Sequence, residues 1–167
     1  MSRTIVGIGG GLLLLLGVLA WGVGRSLPPD HSVTVVDTLA AVPDSTWDAL
    51  TDVWAYPQWR PGVDAVEIIA LDGRPAWREQ GPSGEVTFEM VDVDPPHHMV
   101  TRLAGVDLAV GGTWSWSLRP EGDRTIVEVR EEGTIRSPIQ RFLAHFVTGH
   151  ADSMESYLEA LAHRVGE

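Results

Sequence analysis

Thr113-Trp114-Ser115-Trp116-Ser117-Leu118 alternates polar and apolar side chains over six residues, and that alternation decides the fold. In an extended chain successive side chains point to opposite faces, so Trp114, Trp116 and Leu118 share one face and Thr113, Ser115 and Ser117 the other. A strand with one greasy and one wet face belongs to an antiparallel sheet packed on one side only.

The same reading extends outward in both directions. Val86, Phe88 and Met90 oppose Glu85, Thr87 and Glu89 in the same way. Extended segments are predicted at Val63–Leu71, Ala76–Gln80, Glu85–Val93, His98–Leu103, Thr113–Leu118 and Thr125–Thr134. Turn residues separate them, such as Asp72-Gly73, Gly81-Pro82-Ser83-Gly84, Asp94-Pro95-Pro96 and Glu121-Gly122-Asp123. Six strands thus follow one another with no helix between them. Ahead of them, Ser32–Leu39 is rich in β-branched residues and reads as a first strand. Two short helices come next, one capped at Asp44 or Ser45 and the other with Pro57 in its first turn, stopped by Pro61-Gly62.

Downstream, Ser137-Pro138 supplies an N-cap and a first helical residue for a long helix running to about Arg164. Ile139, Phe142, Leu143, Phe146, His150, Met154, Tyr157, Leu158 and Leu161 recur at spacings of three and four and form an apolar stripe for the sheet to cover. Gly149 lies mid-helix, where a bend or a close approach is expected. The expected fold is α+β: a seven-stranded curved antiparallel sheet wrapped around a long C-terminal helix, with two short helices after the first strand.

The chain opens differently. Thr4 to Gly24 carries no charge, is centred on Leu12-Leu13-Leu14-Leu15-Leu16 and is bracketed by Arg3 and Arg25. At about 1.5 Å per residue such a helix spans roughly 30 Å, the thickness of a bilayer's hydrocarbon core. A single transmembrane anchor over residues 4–24 is expected, with residues 1–30 as anchor and linker and 31–167 as one folded domain. Small residues near Ala20 leave cleavage as a signal peptide open. Arg3 and the terminal amine before the span favour an N-terminus in the cytoplasm and a domain outside it, and Trp21 fits an interfacial anchor. Leu27-Pro28-Pro29-Asp30 reads as a short stiff linker.

The formal net charge is −11, all twelve basic residues are arginine, and no two are adjacent. A phosphate-tracking surface needs a concentrated basic patch, so nucleic-acid binding is disfavoured. Membrane association must come from the span, because an acidic surface is repelled by anionic headgroups. The absence of cysteine removes thiolate and disulfide chemistry.

The order of elements, together with Val42-Pro43, Trp47, Tyr56-Pro57-Gln58-Trp59-Arg60-Pro61, Asp94-Pro95-Pro96 and Glu131-Glu132-Gly133, resembles the SRPBCC superfamily, in its polyketide cyclase/dehydrase-like branch. That superfamily also holds the START lipid-transfer domains. The resemblance covers nearly all of residues 31–167. It implies a helix-grip fold whose sheet and terminal helix enclose an apolar cavity for a hydrophobic small molecule, lipid-like or polyketide-like. Trp77, Phe88, Met90, Trp114, Trp116, Phe142, Phe146 and Tyr157 are the expected cavity lining, and apolar and aromatic linings are what small-molecule pockets use. The same residue types also fill solid cores.

No catalytic constellation is identifiable. Glu131 shares a face with Val127 and Val129 and is the candidate polar group of the cavity; its alternative is a solvated strand end. Arg78 and Arg102 are expected at the surface unless the strand register slips. His97 and His98 are adjacent and face opposite ways, and His145 and His150 diverge by about 140° around a helix, so no metal site is expected. Gly111-Gly112 lacks the lysine and helix of a phosphate loop, and no serine sits in a nucleophile elbow, so no cofactor is expected. Three functions remain: a membrane-tethered binding module, a cyclase or dehydratase marked by a buried ionisable pair, and a structural or interaction domain with a filled core.

Overall fold

Turn glycines and runs of β-branched residues divide the chain as the alternation requires. The computed structural model describes residues 15–82, 84–105, 110–148 and 152–166. Residues 15–26 are helical and are called α1. Then come β1 (Asp30–Leu39), α2 (Pro43–Thr51), a 3-10 turn (Val53–Ala55), α3 (Tyr56–Trp59), β2 (Ala65–Leu71), β3 (Arg74–Gly81), β4 (Gly84–Asp94), β5 (His98–Ala104), β6 (Val110–Glu121) and β7 (Arg124–Ile135). The C-terminal part consists of α4 (Pro138–Leu143), a π-helical turn (Ala144–Thr148) and α5 (Asp152–Gly166).

All seven strands form one antiparallel sheet in the order β1-β7-β6-β5-β4-β3-β2. Consecutive hairpins build it from β2 to β7, and β1 closes onto β7. A bulge between Met90 and Asp92 shifts the register of β4 against β5, a device that bends a strand and increases its twist. Leu39, Trp116, Leu118, Val127 and Val129 on the inner face are buried against Met154, Tyr157, Leu158 and Leu161 of α5. The core therefore lies between the sheet and α5, with Trp47 and Leu50 of α2 completing it.

Three expectations are corrected. The terminal helix is not α-helical throughout: a π turn adds a residue to its turn of helix, so the stripe read at spacings of three and four loses phase there. Met154, Tyr157, Leu158 and Leu161 are buried, whereas Ile139, Leu143 and Phe146, before or within that turn, are exposed. Gly149 and His150 lie outside the described residues. Second, α2 starts at Pro43 after Val42, not at an Asp44 or Ser45 cap; proline at the first helical position needs no amide partner. Third, Val86 is exposed, and Glu89 on the opposite face of β4 is buried by arginines. Among the described residues no helix is long and apolar enough to cross a membrane. The upstream part of the expected anchor, residues 4–14, lies outside the described residues.

The end of α1 is packed against the start of α4. A Cβ on Gly24 would come within 1.8 Å of the Pro138 carbonyl oxygen, so only glycine allows this approach. Arg141 Nη1 donates to the Leu27 carbonyl at 2.7 Å, and the Ile135 amide donates to the Pro29 carbonyl at 2.8 Å.

Candidate functional site

The inner face of β3 sets the site's chemistry. Trp77 and Glu79 are two residues apart on one strand and point the same way. The Trp77 indole Nε1 donates to Glu79 Oε1 at 2.9 Å. The same carboxylate oxygen accepts from Arg60 Nη1, and Arg60 directly follows α3. Glu79 is only 7% exposed, so this ion pair stands almost inside the core.

Two tyrosines surround the cation. The Arg60 guanidinium lies 4.4 Å from the ring centroid of Tyr157 and 5.1 Å from that of Tyr56, both within cation–π range. Tyr157 donates its hydroxyl to Tyr56 at 2.9 Å, and Tyr56 donates to the Leu50 carbonyl at 2.7 Å. Burial pushes the Tyr157 hydroxyl up to about 12, with nearby Arg60 opposing it. Burial also raises Tyr56 well above the usual tyrosine range, reinforced by Tyr157. Both hydroxyls are therefore neutral donors at ordinary pH.

Aromatic rings close around this cluster. Trp77 stacks on Phe88 at 5.4 Å, and Trp116 and Trp114 lie 4.8 and 6.1 Å from Tyr157. They enclose a void of about 20 Å³, which Met99 and Thr101 also line. That is room for about one water molecule.

The structure thus brings together Trp77, Phe88, Trp114, Trp116 and Tyr157 around one point. Met90 packs partly buried against the core beside them. Phe142 and Phe146 lie elsewhere: they contact each other at 5.0 Å on α4 and the π turn, and Phe146 is exposed. Glu131 is on the inner face of β7, 3.4 Å from His31 Nε2, half-buried at the far end of β1. Next to it an open cleft of about 740 Å³ is framed by His31, Gly111, Gly112, Gly133 and Arg136. Arg78 and Arg102 face outward, Arg78 paired with Glu67 and Glu85 and Arg102 with Glu89. The hydrogen bond from Arg102, aided by Arg74, holds the Glu89 carboxyl below the usual carboxylate range.

Sequence reasoning missed Glu79 and the role of Arg60. The alternation of Ala76–Gln80 does set Glu79 beside Trp77, which is the available signal. No group of three or more histidines, aspartates or glutamates able to hold a metal occurs among the described residues. Chemically, the arrangement offers one cation, one carboxylate and two neutral phenols at the base of an aromatic enclosure. It can orient the polar end of an apolar molecule, through one fixed cation and one carboxylate.

A family model described as polyketide cyclase/dehydrase and lipid transport matches residues 30–166. Among solved structures, the Zhui aromatase/cyclase from Streptomyces sp. R1128 is 18% identical with a TM-score of 0.66, covering 82% of this chain and 94% of that one. Norcoclaurine synthase from Thalictrum flavum is 18% identical with a TM-score of 0.65, covering 83% and 87%. A START superfamily protein from Mycobacterium smegmatis is 25% identical with a TM-score of 0.62, covering 81% and 97%. No curated protein matches the chain.

Proposed function

The chain belongs to the polyketide cyclase/dehydrase and lipid-transport family of the SRPBCC superfamily, and on that premise we propose that it binds a hydrophobic small molecule, lipid-like or polyketide-like, between the sheet and the terminal helix. One observation carries the reading: the buried Arg60–Glu79 pair, covered by Tyr56 and Tyr157, sits at the base of a wall of aromatic rings. A few fixed polar groups in an apolar lining give orientation and specificity to a small-molecule site. A void of about 20 Å³ holds no such ligand, so binding requires α3 or α5, which supply Tyr56 and Tyr157 to its lining, to move off the sheet. Residues 4–24 hold the domain beside a bilayer, into which ligands of this kind partition, and the arginine before them keeps the domain outside the cytoplasm.

Mass spectrometry of apolar compounds retained by the full chain in mild detergent tests the reading. One compound class should be enriched over a mock preparation and should quench or enhance tryptophan emission when added back. Repeated preparations with nothing above background, and no tryptophan response to fatty acids or aromatic polyketides, would overturn it.

The same pair supports a second reading, a cyclase or dehydratase in which Glu79 acts as the acid–base group and Arg60 holds a developing oxyanion. Turnover of a poly-β-ketone substrate that Glu79→Gln abolishes, with binding retained, is the outcome that separates catalyst from carrier.

A further inference from the structure

The junction of α1 with α4 forms a surface whose chemistry points to one partner. Ile139 is 46% exposed, Leu143 44% and Phe146 58%, three large apolar side chains within eight residues. They stand next to the end of α1, because Gly24 meets the Pro138 carbonyl and Arg141 binds the Leu27 carbonyl. At about 1.5 Å per residue, Phe146 is only about 12 Å along the helix from that contact.

On the other side of the contact, Leu15, Leu16, Val18, Leu19, Trp21 and Val23 of α1 are exposed as well. They continue the uncharged run that begins at Thr4. In a chain of net charge −11, three arginines collect here: Arg25, stacked over Trp21 at 5.5 Å, with Arg136 and Arg141 at the start of α4. A large apolar patch rimmed by polar groups marks an interaction site, and tryptophan with arginine is the composition of a membrane–water interface.

We propose that Ile139, Leu143 and Phe146 form a second membrane contact, inserting into the headgroup–acyl boundary of the leaflet from which α1 emerges, with Arg25 and Arg136 at the phosphates. The proposal rests on the reading of residues 4–24 as a bilayer anchor. If that anchor ends at Gly24, the packing against Pro138 leaves α4 and the π turn no place but the same interface. A hydrophobic face of this kind adds binding in proportion to its buried area, reinforced by cations.

The chain has no cysteine, so single-cysteine variants can be labelled uniquely. The full chain, carrying Val18→Cys, Ile139→Cys, Leu143→Cys or Ile68→Cys with an environment-sensitive fluorophore, is reconstituted into phosphatidylcholine/phosphatidylglycerol vesicles. Ile68 is exposed on β2, at the opposite edge of the sheet from β1. The labels at 18, 139 and 143 should shift to the blue and lose intensity to a lipid-borne quencher, while the label at 68 keeps its aqueous emission. A lipid signal at 18 with aqueous emission at 139 and 143 overturns the docking face and leaves the anchor standing. Aqueous emission at 18 overturns the anchor and the docking face with it. A lipid signal at 68 as well shows adsorption without a defined face, and also overturns the proposal.

Discussion

The Arg60 guanidinium lies over the ring of Tyr157, 4.4 Å from its centroid, while its Nη1 is held by the carboxylate of Glu79. One side chain thereby joins α3, β3 and α5 at the base of the grip.

Glu79→Ala leaves the guanidinium buried without its counter-ion, and an uncompensated buried charge costs about 3–5 kcal/mol. Urea denaturation should record a loss of that size. The double variant Arg60→Met/Glu79→Leu should recover most of it, since well-packed apolar side chains often replace a buried pair at little cost. A double variant as unstable as the single one would show that the pair is needed for the fold itself.

The two tyrosines should not be equivalent. Tyr157→Phe removes one donor but leaves Tyr56 bonded to the Leu50 carbonyl, a loss of about 1 kcal/mol. Tyr56→Phe strips Tyr157 of its acceptor and Leu50 of its donor inside the core, and should cost at least about 2 kcal/mol. Thermal denaturation of the two variants gives the ranking.

Alkaline pH should unfold the domain through the same pair. Both tyrosines have folded-state pKa values above the ordinary value of about 10, Tyr157 at about 12, because burial disfavours the phenolate. A raised folded pKa gives stability that is complete below about pH 10 and lost as pH rises toward about 12. Denaturant midpoints should be flat in this respect up to the lower limit and fall above it. Tyr157→Phe should show the shallower fall.

Gly81→Ala should be far worse than Gly73→Ala. A Cβ at Gly81 would lie 2.0 Å from the Gly62 carbonyl oxygen, in the turn that follows Arg60, and backbone cannot give way there as a side chain can. Overpacking of this kind costs about 1–3 kcal/mol. Gly73 has a positive φ but open space around it, so alanine there should cost about 1 kcal/mol, and chemical denaturation compares the two.

Period-two alternation carried most of the sheet. Trp114, Trp116 and Leu118 face the core, and the order from β2 to β7 follows from turn residues that permit only hairpins, whereas the pairing of β1 with β7 does not. The π turn in the terminal helix was not legible, since Ala144-His145-Phe146-Val147-Thr148 keeps an ordinary helical pattern and a π turn is decided by what the helix packs on. The Arg60–Glu79 pair was hidden for another reason. Glu79 shares a strand face with Trp77, but a lone carboxylate in a strand reads as solvated until its partner is known, and that partner lies 19 positions earlier on another element. Residue type could not separate Trp77, Phe88, Trp114, Trp116 and Tyr157, which surround one point, from Phe142 and Phe146, which do not, nor reveal how little space the rings leave.

Only Leu27, Pro28 and Pro29 separate α1 from β1, a reach of at most about 10 Å, and the bonds from Arg141 and Ile135 shorten even that leash. On the proposed reading of residues 4–24 as a bilayer anchor, the domain is thus a fixture and not a ferry. So tethered, it would not swing out to meet a distant acceptor, and under the proposed binding function any exchange of cargo would wait for the other party to drift alongside.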